Sequence, residues 1–64
     1  MKWIDIEDIA ESLEKKFPNE ELLSLRFTKL YSLVISLDSF NDDIKRSNEK
    51  ILEKIQAEWI TLRQ

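Results

Sequence analysis

The residues of this chain whose types could do chemistry are four carboxylates around the start of its last predicted helix. Asp42 and Asp43 precede that helix, and Glu49 and Glu53 lie four positions apart within it, on one stretch of its surface. The chain contains no His and no Cys, so the set offers only hard oxygen ligands. Such ligands suit Mg²⁺, Ca²⁺, Mn²⁺ and iron ions rather than structural zinc. We therefore predict that the four carboxylates converge on about one helical turn, where a metal ion would be held weakly and with little selectivity; acids that only solvate the helix are the alternative.

The charge of the chain is acidic overall and unevenly distributed. There are 13 acids and 10 bases, a net charge of −3. Residues 1–25 carry seven acids and three bases, whereas residues 26–48 carry three acids and four bases, and residues 49–64 carry three of each. An acidic N-terminal third argues against a duplex-binding face, because phosphate contacts need clustered Lys and Arg. It suits a cation or a partner with a basic surface, and the simpler alternative is that the acids only solvate helices.

The composition gives an enzyme little support. Without His or Cys there is no conventional general base or thiol nucleophile, and without Gly there is no glycine-rich phosphate loop. A helical domain of 64 residues also offers no evident cleft to raise the pKa of a carboxylic acid. A helix-turn-helix DNA-binding protein is an unlikely alternative, because Glu49 and Glu53 on the recognition helix would face phosphates. The neighbouring bases Lys45, Arg46, Lys50 and Lys54 offset this only in part.

The length and composition predict one small intracellular domain spanning residues 1–64. Without Cys there is no disulfide, which favours a reducing cytoplasm, and no apolar run approaches the roughly 20 residues of a membrane span. The N-terminal MKWIDIED does not have the pattern of a signal peptide. Because Gly is absent, we expect Asn19 and Asn41 to supply any turn that needs positive φ.

Three helices must position these acids, and the first is predicted from Asp5 to Lys16. Asp5 is the expected N-cap, and Ile4 should close over Ile9 as a hydrophobic staple. Pro18 disfavours helical geometry at the residue before it and ends the helix. The predicted core stripe comprises Ile6, Ile9, Ala10, Leu13 and Phe17.

The other two helices follow from the same apolar spacing. Thr28 is the expected cap of a second helix that ends near Asp38 or Ser39, with a stripe of Leu30, Leu33, Val34 and Leu37. Ser47 is the expected N-cap of a third helix, with a stripe of Ile51, Leu52, Ile55, Trp59 and Leu62. We predict an all-α fold, a compact three-helix domain arranged as an orthogonal bundle or a relative of the helix-turn-helix.

Several short motifs, taken together in their order and spacing, resemble the IscX family. They are KW at Lys2–Trp3, RFT at Arg26–Thr28, F-x-DD at Phe40–Asp43 and SNEKILE at Ser47–Glu53, with Trp59 near the end of the last helix. The family consists of small acidic proteins encoded with the bacterial iron–sulfur cluster assembly machinery. The resemblance covers nearly the whole chain.

The resemblance implies an all-helical, modified winged-helix fold and a non-enzymatic role. Family members bind a basic surface of the cysteine desulfurase, hold Fe²⁺ or Fe³⁺ weakly through surface carboxylates, and are proposed to donate iron or to modulate the desulfurase. It implies no tightly bound cofactor, and we expect a cytoplasmic monomer that binds neither nucleic acid nor membrane. The implied metal ligands are Asp42, Asp43, Glu49 and Glu53. The implied partner-binding residues are Asp5, Asp8, Glu11, Asp42, Asp43, Glu49 and Glu53.

The chain departs from the family pattern at two places. Ile44 stands where a Pro usually follows the paired aspartates, so we expect a less restrained loop. The chain ends in Ile60–Gln64 instead of the usual acidic residues, which removes an acidic tail as a binding element.

Overall fold

The computed structural model describes all 64 residues as three α-helices and one 3₁₀ turn. Helix α1 spans Ile6–Lys16, α2 spans Phe27–Ile35 and α3 spans Glu49–Arg63, and the 3₁₀ turn at Ile44–Arg46 precedes α3. There is no β-strand, which confirms the all-α prediction, whereas the winged-helix detail is not confirmed. No helix has the length and apolar character of a membrane span.

Helix α1 begins where the sequence predicted, but its start is built differently. Asp5 holds the N-cap position, yet its side chain makes no capping bond. Instead Asp5 Oδ2 accepts from the backbone N–H of Lys2 at 2.8 Å, and its own N–H donates to the Lys2 carbonyl at 2.9 Å. This turn directs Trp3 into the core and leaves Ile4 79% exposed. The predicted staple of Ile4 over Ile9 is therefore wrong.

Helix α2 begins one residue before the predicted cap and is shorter than predicted. Arg26 is the N-cap residue, so Thr28 lies inside the helix. The helix ends at Ile35, and the Ser36 hydroxyl donates to the carbonyl of Leu33 at 2.7 Å. Leu37 is still buried, because a turn in which its N–H donates to the Val34 carbonyl carries it inward.

Helix α3 is capped by Asn48 rather than by Ser47. Asn48 Oδ1 accepts from the backbone N–H of Ile51 at 2.9 Å, the bond that an N-cap side chain makes. Ser47 instead closes the preceding 3₁₀ turn in extended geometry. The predicted stripe is otherwise correct as far as Trp59, but Leu62 at its end is 41% exposed.

The core lies mainly between α1 and α3, and α2 packs against α3 and, less extensively, against α1. Its buried side chains are all apolar, and they include both tryptophans. Trp3 stacks on Tyr31 with ring centroids 5.8 Å apart and meets Phe40 edge-on at 4.8 Å. No residue has positive φ, so the turns expected to use Asn19 and Asn41 in left-handed geometry are formed without it.

Candidate partner-binding surface

The loop that carries Asp42 is fixed to the N-terminal segment by backbone hydrogen bonds. The carbonyl of Met1 accepts from the N–H of Asn41 at 2.8 Å, and the Met1 amino group donates to the Ser39 carbonyl at 2.6 Å. Two residues later, the Trp3 N–H donates to Asp42 Oδ2 at 3.1 Å. The loop and the start of the chain therefore form one structural unit.

Both carboxylate oxygens of Asp42 accept backbone hydrogen bonds within this unit. While Oδ2 accepts from Trp3, Oδ1 accepts from the backbone N–H of Asp43 at 2.7 Å. The N–H of Trp3, followed by that of Asp43, lowers the pKa of Asp42 below its usual range, with smaller contributions from the positive charges of Arg46 and Lys2. Asp42 is thus an ionised structural acceptor, a role the sequence analysis missed.

Asp43 and Ile44 lie in a loop that is restrained without the family's proline. Asp43 Oδ1 accepts from the Lys45 N–H at 2.9 Å and so caps the 3₁₀ turn. The Trp3 indole N–H donates to the Asp43 carbonyl at 2.9 Å, and the Tyr31 hydroxyl donates to the Ile44 carbonyl at 3.2 Å. Side chains from two other parts of the chain therefore hold the segment where Ile44 replaces Pro.

Glu49 and Glu53 lie on the side of α3 that faces the segment leading into α2. Gln56, in the same row of the helix surface, identifies this side, because its amide donates to the carbonyls of Leu22 and Leu25 at 2.8 and 3.3 Å. Both glutamates are exposed and accept no hydrogen bond from another residue.

The four carboxylates do not form the metal-binding cluster expected from the sequence. No group of three or more acidic side chains is placed to hold one metal ion. The reason is that Asp42 and Asp43 are turned into the loop by their own backbone bonds, whereas Glu49 and Glu53 follow the α3 surface. The expected convergence is wrong, and iron binding by these residues stays a prediction.

The acids of α1 lie on a second surface. Asp8 and Glu11, three positions apart on one face, line an open groove of about 850 Å³ together with Glu14. Met1, Ser39 and Leu62 are among its other lining residues, so the groove runs along α1 beside the N-terminal segment and the end of α3. Asp8 and Glu11 are exposed, while Asp5 is half-buried and bonded to Lys2.

Glu14 makes a link between α1 and α3 that the sequence analysis missed. Its Oε1 accepts from the Trp59 indole N–H at 2.7 Å and from Arg63 Nη2 at 2.8 Å. The Arg63 guanidinium, then the Trp59 N–H, lowers the pKa of Glu14. Arg63 also donates to the carbonyls of Phe17 and Glu20 just beyond α1. The non-acidic C-terminal segment therefore has a structural use, for which sequence spacing gave no signal.

None of the acids predicted to bind a partner is in an ion pair within the chain, although Lys15 lines the α1 groove and Arg46 and Lys2 lie near Asp42. The only ion pairs are Lys29 with Glu20 and Arg63 with Glu14, each at 2.8 Å. Neither pair includes any of the seven predicted residues. Their negative charge is therefore uncompensated by direct contacts, although it is divided between the α1 groove, the Asp42–Asp43 loop and one side of α3.

Comparison with known proteins places this arrangement in a family. The chain is 42% identical over 60 residues to an uncharacterized protein of Pseudomonas aeruginosa, a match that covers 94% of this chain and 91% of that one. A family model described as iron–sulphur cluster assembly matches residues 1–64, the whole chain. The resemblance inferred from the sequence motifs is thereby confirmed, and the chain belongs to the iron–sulphur cluster assembly family known as IscX.

Proposed function

We propose that the protein is a non-enzymatic accessory protein of iron–sulfur cluster assembly that binds a basic surface of the cysteine desulfurase and modulates its activity. The observation that carries the proposal is that none of the seven predicted partner-binding acids is in an ion pair with a base of its own chain. Membership of an iron–sulfur cluster assembly family supports the choice of partner.

Electrostatic attraction is the physical basis of this docking. Exposed carboxylates facing a basic surface raise the association rate and select the partner, and both effects weaken as salt screens the charges. Asp8, Glu11, Glu49 and Glu53 are the acids best suited to this contact, because they are exposed and make no bonds within the chain. Asp42 and Asp43 also contribute negative charge, but their carboxylates already accept backbone hydrogen bonds that hold the loop.

We expect the acidic surface to bind iron only weakly. Both oxygens of Asp42 already accept hydrogen bonds, so an ion at this surface would be held by one or two carboxylates and otherwise by water. Such a site would bind Fe²⁺ or Fe³⁺ weakly and without a fixed geometry. We therefore propose no resident cofactor, and we regard the acidic surface as a protein-binding module that does not need a metal.

Charge reversal confined to the unbonded acids tests the docking. The two variants are Asp8→Lys with Glu11→Lys, and Glu49→Lys with Glu53→Lys, each raising the net charge by four. A matched control reverses Asp38 and Glu21, which are also exposed; Glu21 accepts one local bond, from the N–H of Leu23 two residues later. Asp42 is left intact, because its reversal would remove the acceptor of the Trp3 N–H.

Calorimetry with the purified desulfurase should show an affinity that falls steeply with ionic strength. At least one of the two variants should bind about tenfold more weakly or worse, while the control keeps most of the affinity. If both variants bind as the unmodified protein does, the acidic docking surface is refuted. Retention of a DNA duplex at low salt, in contrast, would support the helix-turn-helix alternative.

A further inference from the structure

The segment that joins α1 to α2, residues 17–25 and called the strap, is built from two short turns. In the first turn, the N–H of Glu20 donates to the Phe17 carbonyl at 3.2 Å. In the second turn, the N–H of Leu25 donates to the Leu22 carbonyl at 3.3 Å. No other backbone hydrogen bond joins two residues of the strap, which contains no helix or strand. The strap therefore depends on side chains from elsewhere in the chain for its position.

Two side chains of α3 each hold one of these turns at both of its ends. Arg63 donates to the carbonyls of the first and last residues of the first turn, the former at 3.2 Å. Gln56 donates to the corresponding carbonyls of the second turn, at 2.8 and 3.3 Å. These two side chains are seven positions apart, about two helical turns, and so they leave α3 on the same side. A third contact, the ion pair of Lys29 with Glu20 at 2.8 Å, contributes little because the lysine is exposed.

The strap packs loosely against the end of α3. Its buried side chains are Leu22 and Leu25, and Phe17 at its start is half-buried. An open groove of about 460 Å³ is lined by residues 19–23 of the strap and by Ile60 of α3, among others. Segments with few buried apolar contacts and few backbone hydrogen bonds open at a lower free energy than the helices of the same protein.

We propose that the strap opens and closes as a single unit while the three helices stay packed, with Arg63 and Gln56 as its two fastenings. Only Glu21 separates the two turns, so one turn cannot move far from α3 without the other. Opening frees four carbonyls to bond with water and exposes the two buried leucines. Arg63 keeps its bond to Glu14 at 2.8 Å and its place over the Trp59 ring, so the guanidinium stays positioned for the strap to close again. This conformational device is independent of the proposed desulfurase partner.

Amide exchange of the native protein in low concentrations of urea tests the opening. The reporters are the N–H groups of Glu20 and Leu25, one for each turn, and that of the buried Ile55 within α3. The two strap amides should share one opening free energy, which should be smaller than that of Ile55 and depend weakly on urea because opening exposes little surface. Strap amides with the same free energy and urea dependence as Ile55, or with no protection at all, would overturn the proposal.

Replacing each fastening in turn shows whether the strap is one unit. Arg63→Met removes the donors to the first turn and Gln56→Met removes those to the second, while both keep an unbranched apolar side chain. Loss of such hydrogen bonds should speed exchange about fivefold or more, at both Glu20 and Leu25 in either variant. Acceleration confined to the turn that the replaced side chain contacts would overturn the single unit, and unchanged exchange at both turns would overturn the fastenings. If Arg63→Met does not fold, the same comparison with Gln56→Met decides.

Asn48→Ala is the matched control, because it removes the cap of α3, a bond that is present whether the strap is closed or open. It lowers the free energy of unfolding without changing the free energy of opening. Exchange should therefore accelerate about fivefold at Ile55 and stay unchanged at Glu20 and Leu25. Equal acceleration at all three amides would show that the strap and the helices unfold together, and the proposal would then be wrong.

Discussion

Replacing Trp3 by Phe should destabilise the protein by about 2 kcal/mol. The side chain is 1% exposed, packs on Tyr31 and Phe40, and donates its indole N–H to the Asp43 carbonyl. Phe keeps one ring but removes roughly 40 Å² of buried apolar surface, worth about 1 kcal/mol at 25 cal/mol per Å². The lost hydrogen bond adds about 1 kcal/mol. The Asp43 carbonyl retains a bond from the Arg46 N–H at 3.0 Å, which limits the penalty.

This loss is large for a domain of this length. A stability of about 0.05–0.15 kcal/mol per residue gives roughly 3–10 kcal/mol for 64 residues. A loss of about 2 kcal/mol should lower the melting temperature by roughly 8–16 °C. Trp3→Ala, at about 3–5 kcal/mol, would remove much or all of the stability, so Phe is the informative replacement.

Urea denaturation followed by far-UV circular dichroism measures the effect. The midpoint should fall with an unchanged slope, and amide exchange should accelerate first at Asn41, whose N–H donates to the Met1 carbonyl. Leu23→Ala, at a side chain 84% exposed, is the control and should change the free energy of unfolding by less than about 0.5 kcal/mol. A loss below about 0.5 kcal/mol for Trp3→Phe would refute the account of the N-terminal segment as part of the core.

Three further predictions follow from the cap, the core and the ionised carboxylates. Asn48→Ala should lower the free energy of unfolding, measured by urea denaturation, by about 1 kcal/mol, and Ser47→Ala should lower it much less. The reverse order would identify Ser47 as the cap of α3. Ile55→Ala, at a fully buried position, should lower the free energy of unfolding by about 2–5 kcal/mol, whereas Leu62→Ala should lower it by less than about 1 kcal/mol. Equal losses for the two variants would contradict the boundary of the core. The pKa values of Glu14 and Asp42 are lowered in the folded protein, so the unfolded chain binds more protons and stability should fall as the pH drops through and below about 4. Glu14→Gln and Asp42→Asn should each flatten that acid limb, and an unaltered pH profile would show that the carboxylate concerned is not linked to folding.

The core and the helix count were predictable from the sequence because apolar periodicity decides both. Ile9 and Leu13 recur at helical spacing in α1, as do Leu30 and Val34 in α2, and burial is the main favourable term for a chain with no disulfide. Helix starts were less predictable. Ser47 and Asn48 are both good caps, and only the geometry of the preceding 3₁₀ turn selects Asn48.

The candidate site was predictable in its residue types but not in its arrangement. That Asp43, Glu49 and Glu53 would be exposed acids follows from their spacing, but the backbone bonds that direct Asp42 toward Trp3 join positions 39 residues apart. Contacts at such separation leave no local pattern. The same holds for Glu14 and Arg63, which lie 49 residues apart in the chain.

The two tryptophans report on different regions of one small protein. Trp3 lies at the start of α1 against the 39–43 loop, and Trp59 bonds to Glu14 near the other end of that helix, under the Arg63 guanidinium. A partner seated beside Tyr31 would change the surroundings of the first indole and leave those of the second alone. With one indole replaced by Phe at a time, intrinsic fluorescence could therefore show which end of the molecule a ligand touches, without any attached dye.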